Sequence, residues 1–282
     1  MANNYATPYG VIQEGHVNAP SDGVRQALYD QSETQKGPVG ARRVTEDGRT
    51  FRYCKFLAAV TVGKLCAVDA TSQIIADGAA TAVRNSAGAA ADIASSASPT
   101  TLYFLDTDKF TAANSDHVLA GGYLHICNNG GEGYNYRIID NDYTATTSVM
   151  KVNIYDPILA NIDSEAEVAI TGNPYLNVRV ATAGTDDFVV GTSIRSMTAG
   201  YYGWLQTWGV ATILADGTIT AGMMLTLSDG VAGAVQEIGG GAVLASESDI
   251  EFAAITTEPP VGFAISAGVD ASYMPVFLQL SP

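Results

Sequence analysis

Basic residues are scarce in this chain of 282: 14 Lys+Arg stand against 29 Asp+Glu, a formal net charge of -15, and beyond Arg195 there is neither Lys nor Arg. Phosphate backbones and anionic bilayers are held by clustered cations, so the shortage argues against nucleic acid and membrane surfaces as partners. Charge of either sign is sparse, 15% of residues against 47% hydrophobic, which is the composition of a chain with a core rather than of a disordered one. No run approaches the roughly 18 apolar residues of a membrane span. The opening MANNYATPYG lacks the basic and apolar regions of a secretory signal. Cysteine is reduced to Cys54, Cys66 and Cys127, an odd number without CxxC spacing, so a complete intrachain disulfide set is excluded and a reducing compartment is expected. Asn-x-Ser/Thr sequons are absent too, and synthesis in a cytosol is the expectation.

Glycine and tyrosine are plentiful, 29 and 14 residues, and both favour strands and turns over helices. From Phe51 short apolar runs follow one another: Phe51–Phe56 alternates apolar and polar as a half-buried strand does, and similar segments recur at 65–68, 73–76, 102–105, 123–127, 134–139, 149–155, 167–170, 175–180, 188–190, 203–206, 210–214, 224–227, 251–255, 262–265 and 276–280. Asp47-Gly48, Asp77-Gly78, Asn129-Gly130, Asp216-Gly217 and Asp229-Gly230 supply turn chemistry between them. The fold class is therefore all-β: an extended N-terminal arm, then a β-barrel or sandwich body with an inserted β-rich subdomain. The Ala/Ser-rich run 87–98 reads as a loop.

Two pairs of segments resemble each other. Thr61-Val62-Gly63 leads into a strand as Thr220-Ala221-Gly222 does, and Val190–Ile194 is like Val261–Ile265. Their spacings, 129 against 41, differ by 88 residues, as an internal duplication would if its first copy carried an insertion. This places the arm at 1–50, the body at 51–89 plus 179–282, and the inserted subdomain at 90–178. Pro8, Gly10, Gly15, Pro20, Gly23, Gly37, Pro38 and Gly40 break up the arm, leaving room for one short helix from Ser21 as N-cap to about Ser32.

Motifs for chemistry fail on inspection. Gly131-Glu132-Gly133 begins a dinucleotide fingerprint, but Tyr136 stands where the third glycine belongs. Gly63-Lys64 is followed by Leu65 rather than Ser/Thr, and Gly191-Thr192-Ser193-Ile194-Arg195 lacks the second glycine of a nucleophile elbow. Asp140-Asn141-Asp142 starts like a calcium loop, but Ala145 and Lys151 occupy its glycine and glutamate positions, so an Asx-rich turn is expected. His16, His117 and His125 are dispersed. His125 and Cys127 would share a strand face, and a hydrogen-bonded histidine beside a buried thiol is favoured over a metal pair. No catalytic residues, metal or cofactor are assigned, and no enzyme activity is expected.

Charge is uneven. Residues 1–55 hold seven bases and six acids, net +1, and the remaining 227 carry net -16. The asymmetry points to the N-terminal segment as a partner-binding region, with Arg42, Arg43, Arg49 and Arg52 as docking residues. Tyr202, Trp204 and Trp208, in Gly200-Tyr201-Tyr202-Gly203-Trp204-Leu205-Gln206-Thr207-Trp208-Gly209, share one strand face by alternation. Such aromatics either stack on sugars or build core and subunit contacts, and the second is favoured.

That aromatic segment, together with Gly40-Ala41-Arg42-Arg43-Val44, Gly48-Arg49-Thr50-Phe51-Arg52-Tyr53-Cys54-Lys55, Gly131-Glu132-Gly133-Tyr134-Asn135-Tyr136-Arg137-Ile138 and Gly172-Asn173-Pro174-Tyr175, resembles blocks of tailed-phage head decoration, or capsid cement, proteins. The resemblance implies a non-enzymatic virion structural protein, made in the host cytoplasm and bound to the outer capsid surface. Its implied partners are the major capsid protein and further copies of itself, as a dimer or trimer. A tail, head-fibre or glycan-binding surface module is the alternative.

Overall fold

The computed structural model describes residues 24–69, 74–75, 83–105, 119–144, 149–184, 187–238 and 259–282. In chain order the strands are β1 (Arg42–Val44), β2 (Thr50–Lys55) and β3 (Leu65–Val68); β4 (Ile74–Ile75), β5 (Val83–Arg84), β6 (Thr101–Leu105), β7 (Tyr123–Asn128), β8 (Asn135–Thr144), β9 (Val149–Ile154) and β10 (Glu167–Thr171); then β11 (Val178–Val180), β12 (Val189–Ser193), β13 (Tyr202–Leu214), β14 (Met224–Leu227), β15 (Val235–Glu237), β16 (Gly262–Ala264) and β17 (Tyr273–Gln279). The all-β class holds. A 3-10 turn at Ser95–Ala97 lies within the run read as a loop.

The chain divides into two compact units, one from 1–69 with 175–282 and the other from 70–174. The inserted unit thus starts at 70 rather than at 90, because strands β4 and β5 join its sheet, whose order is β4-β10-β7-β8-β9-β6-β5. Its core is a single cluster that includes Leu102, Phe104, Leu124, Ile138, Val152 and Ile170. Asp140-Asn141-Asp142 forms no turn: it lies inside β8, where a register shift after Ile138 accommodates an extra residue, and buried Asn141 accepts a hydrogen bond from the Leu119 amide (2.8 Å).

The first unit is one sheet of ten strands among the described residues, in the order β11-β3-β12-β13-β17-β16-β14-β15, with β2 on β13 and β1 on β2; the sheet curls into a half-barrel. It is built twice. A displacement of 159 residues carries Phe56 onto Ala215, one of 71 carries Tyr201 onto Ser272, and the two amides donate alike: Phe56 N to Tyr201 O at 2.9 Å, Ala215 N to Ser272 O at 2.8 Å. Gly63 N to Ser193 O is repeated by Gly222 N to Ala264 O, both 2.8 Å, and Ala181 N to Leu65 O by Ile238 N to Met224 O. The parallel bridge Phe56–Val178 recurs as Ala215–Val235, and Val60–Met197 as Ile219–Gly268. The first repeat is therefore β2, β3, β11, β12 and the first half of β13. The second is the rest of β13 with β14, β15, β16 and β17.

Each repeat buries one face of its strands behind equivalent side chains. Cys54, Phe56, Val60, Cys66, Val190 and Leu205 make one cluster; Ile213, Ala215, Ile219, Leu225, Val261 and Val276 occupy the matching places in the other. Strand β13 serves both halves by running unbroken through Gly209, whose φ of +90° only glycine adopts without strain, beside a bulge between Gln206 and Trp208. The sequence reading split it into two strands at that point. The expected helix from Ser21 is not formed over the described residues 24–32, which turn and then bridge Ser32 to Tyr202; Ser21 itself and the strand expected at 251–255 lie outside the described residues.

Candidate functional site

The N-terminal segment from Val24 to Ala41 folds over one face of β2 and β13 in the first repeat. Val24 and Leu28 are buried against Phe51, Tyr53 and Trp204, so their spacing reflects tertiary packing onto aromatic rings rather than a helix. Gln26 is the fastener. Its amide nitrogen donates to Asp30 O (2.8 Å) and Tyr202 O (2.9 Å), its amide oxygen accepts from the Tyr53 hydroxyl (2.8 Å), and its backbone oxygen accepts from the Trp204 indole nitrogen (3.3 Å). Buried amides must be satisfied, so a nonpolar residue here would orphan several partners at once. Burial pushes the Tyr53 hydroxyl up to about 12, against the opposing hydrogen bond from the Lys36 amide.

The four arginines fall into different settings. Arg43 turns inward: it donates to Gln26 O (3.0 Å) and Val24 O (3.1 Å), and its guanidinium lies 4.1 Å from the Trp204 ring centroid. Arg52 donates to Gly40 O and Ser281 Oγ, both at 3.2 Å. Arg49 pairs with Asp47 across the β1–β2 turn at 2.6 Å. Arg42 is exposed on β1, which has β2 as its one partner among the described strands. Arg43 and Arg52 thus tie the arm to the body, and Arg42 is the member of the set left exposed on the edge strand. Nothing in the sequence singled out Gln26, although Arg42-Arg43-Val44 followed by Asp47-Gly48 carries the hairpin signal that would have turned alternate arginines to opposite sides.

The aromatic strand is divided as well. Trp204 is 1% exposed and meets Tyr53 edge-on at 5.2 Å, which removes it as a sugar platform. Tyr202 is half-buried, stacked on Tyr53 at 6.1 Å with the Lys55 ammonium 5.7 Å from its ring. Trp208 is half-buried and edge-on to Phe277 at 5.9 Å, in the second repeat.

Elsewhere, His125 hydrogen-bonds Thr171 (3.1 Å) and Cys127 is exposed, not buried. Cys54 and Cys66 are buried free thiols, both pushed up by desolvation. Among the described residues no group of three or more His, Cys, Asp or Glu is placed to hold a metal ion, and no helix is long and apolar enough to cross a membrane. Comparison of the chain with protein-family models, with curated proteins and with solved structures finds no match.

Proposed function

We propose that this protein is a non-enzymatic virion structural protein that binds the outer surface of a tailed-phage capsid and stabilises the shell as a decoration protein. The sequence resemblance suggests the class, and the β1–β2 hairpin is the observation that carries the attachment. An edge strand that displays Arg42 and Val44 outward offers unpaired backbone groups and a cation together, the combination that strand addition to an acidic partner uses. It stands in the part of the chain where bases outnumber acids. On a lattice each such contact can be weak, because it is repeated at every symmetry-related position.

Mass spectrometry of purified virions should find the protein in hundreds of copies per particle. A handful would place it in a tail or fibre, and none would end the virion reading. On undecorated capsids, Arg42→Glu should lower occupancy and rising salt should do the same to the unmodified protein. Occupancy indifferent to both would remove the hairpin from the attachment.

A further inference from the structure

The two repeats differ in the exposure of one cross-strand row. In the first, the cross-strand row Phe51–Gln206–Thr192–Leu65 is sealed, with relative exposures of 0, 2, 1 and 0%. The same displacements carry it onto Val210–Phe277–Phe263–Met224, a row paired in the same order. Here the exposures are 52% for Val210, 37% for Phe263 and 41% for Met224, with Phe277 half-buried. Ile265 at 48% and Tyr273 at 50% extend the patch. The chemistry is inverted: the covered row contains Gln and Thr, the open row is wholly apolar. A continuous apolar face of this kind marks an interaction site.

What covers the first face explains why the second is bare. The chain before β2 is free to turn back, and its residues 24–41 cover the Phe51 end of the row together with Tyr53 and Trp204, while Leu65 at the other end is buried in the cluster of Ile213, Leu225 and Val276. The chain before the second half of β13 is the first half of β13, already committed to the sheet. The second repeat therefore has no preceding segment of its own to fold over it. Charge indicates the substitute. After Arg195 the chain carries acids and no bases, with Asp216, Asp229, Glu237 and Asp270 among the described residues of this repeat. The N-terminal segment has the opposite character, with Arg25 and Arg42 exposed beside Tyr29 and Val44, each 51% exposed.

We propose that the Val210–Phe277–Phe263–Met224 face binds the N-terminal segment of a second copy of this chain, head to tail. The contact joins unlike surfaces, so it closes into a ring if the rotation between neighbours permits and otherwise propagates. The capsid reading draws on Arg42 as well, so Arg25, which that reading does not use, is the residue that tells the two apart.

Light scattering coupled to size exclusion tests it at about 0.1 mM chain, a concentration that populates even micromolar contacts. The unmodified protein should run as an oligomer. Phe263→Asp should run as a single chain with unchanged circular dichroism, and Arg25→Glu should do the same by weakening the other half of the contact. Mixed one to one, the two variants retain one intact surface each and should form a dimer that grows no further. Val210→Asp, at a more exposed position of the same row, replaces Phe263→Asp if that variant fails to fold. A monomeric unmodified protein, which would mean that residues of the same chain or a different protein cover the face, overturns the proposal. So does an oligomer that survives the face substitutions, or a mixture that stays monomeric.

Discussion

The two repeats of the half-barrel share a hydrogen-bond plan residue for residue, yet one is closed on both sides and the other on one. Their buried cores are interchangeable in kind, Cys54 for Ile213, Cys66 for Leu225, Leu205 for Val276. The other faces are not, since Trp204 corresponds to Pro275 and Tyr53 to Thr212. The strand order is thus kept with different side chains in the core, while the second face differs with what packs on it: the arm on Phe51, Tyr53 and Trp204.

The sharpest way to expose this contrast is to cut the same position in both copies. Trp204→Ala removes a fully buried ring that meets Tyr53, Arg43 and Gln26 and should cost about 3–5 kcal/mol. Pro275→Ala, half-buried on the open face, should stay within about 0.5 kcal/mol. Urea unfolding of the two variants checks the pair, and equal losses would mean that the arm does not seal the first repeat.

A second contrast is alkaline sensitivity. Desolvation raises the Cys54, Cys66 and Tyr53 groups in the first repeat, while their counterparts Ile213, Leu225 and Thr212 do not titrate. A raised folded pKa leaves stability intact below the ordinary thiol range and erodes it as pH climbs above about 8.5, because the unfolded chain then releases protons that the folded chain retains. The slope reaches at most about 1.4 kcal/mol per pH unit for each thiol. Hydrogen exchange between pH 7 and 10, corrected for intrinsic rates, should show the first repeat losing protection before the second. Cys54→Val with Cys66→Val should remove most of that difference.

The smallest effect comes from one turn. Gly200 and Ala271 are equivalent and both left-handed, φ +82° and +56°. An added methyl at Gly200 meets nothing within 4 Å, so Gly200→Ala should cost only the backbone term, about 1 kcal/mol. Ala271→Gly should be neutral or stabilise by up to about 1 kcal/mol, as relief of that strain competes with added freedom of the unfolded chain. Thermal melts of both should move in opposite directions or not at all for Ala271→Gly; parallel destabilisation would break the equivalence of the turns.

Much of this plan was legible before any coordinates. Strand alternation at 51–56, and the Thr-x-Gly turns before Leu65 and Met224, located the strands and the duplication because these depend on local periodicity and turn chemistry. What escaped depends on distant partners. β1 and β15 are three residues each and, unlike the equally short β11 and β16, carry two charged or amide residues (Arg42, Arg43; Gln236, Glu237) that hide an apolar run, and β13 continues through a glycine that ordinarily signals a break. Val24 and Leu28 imitate helical spacing while packing on rings from β2 and β13. The arginines were read as one set by composition, although neighbours on a strand face opposite ways; Arg43 and Arg42 separate for that reason.

The inserted unit, residues 70–174, follows Asp69 and precedes Asn177, whose backbone groups are joined at 3.2 Å (Asp69 N to Asn177 O). The second repeat crosses the same place with only residues 229–233, between Ser228 and Ala234, which are joined in the same way at 3.0 Å. The protein therefore contains, within its own chain, the blueprint of a shorter version of itself and the address of a cargo port. A sequence whose two ends lie this close could be exchanged for residues 70–174 while Tyr175, which accepts from the Lys55 amide of β2, is kept. The Ser228–Ala234 turn marks the least that such a port requires.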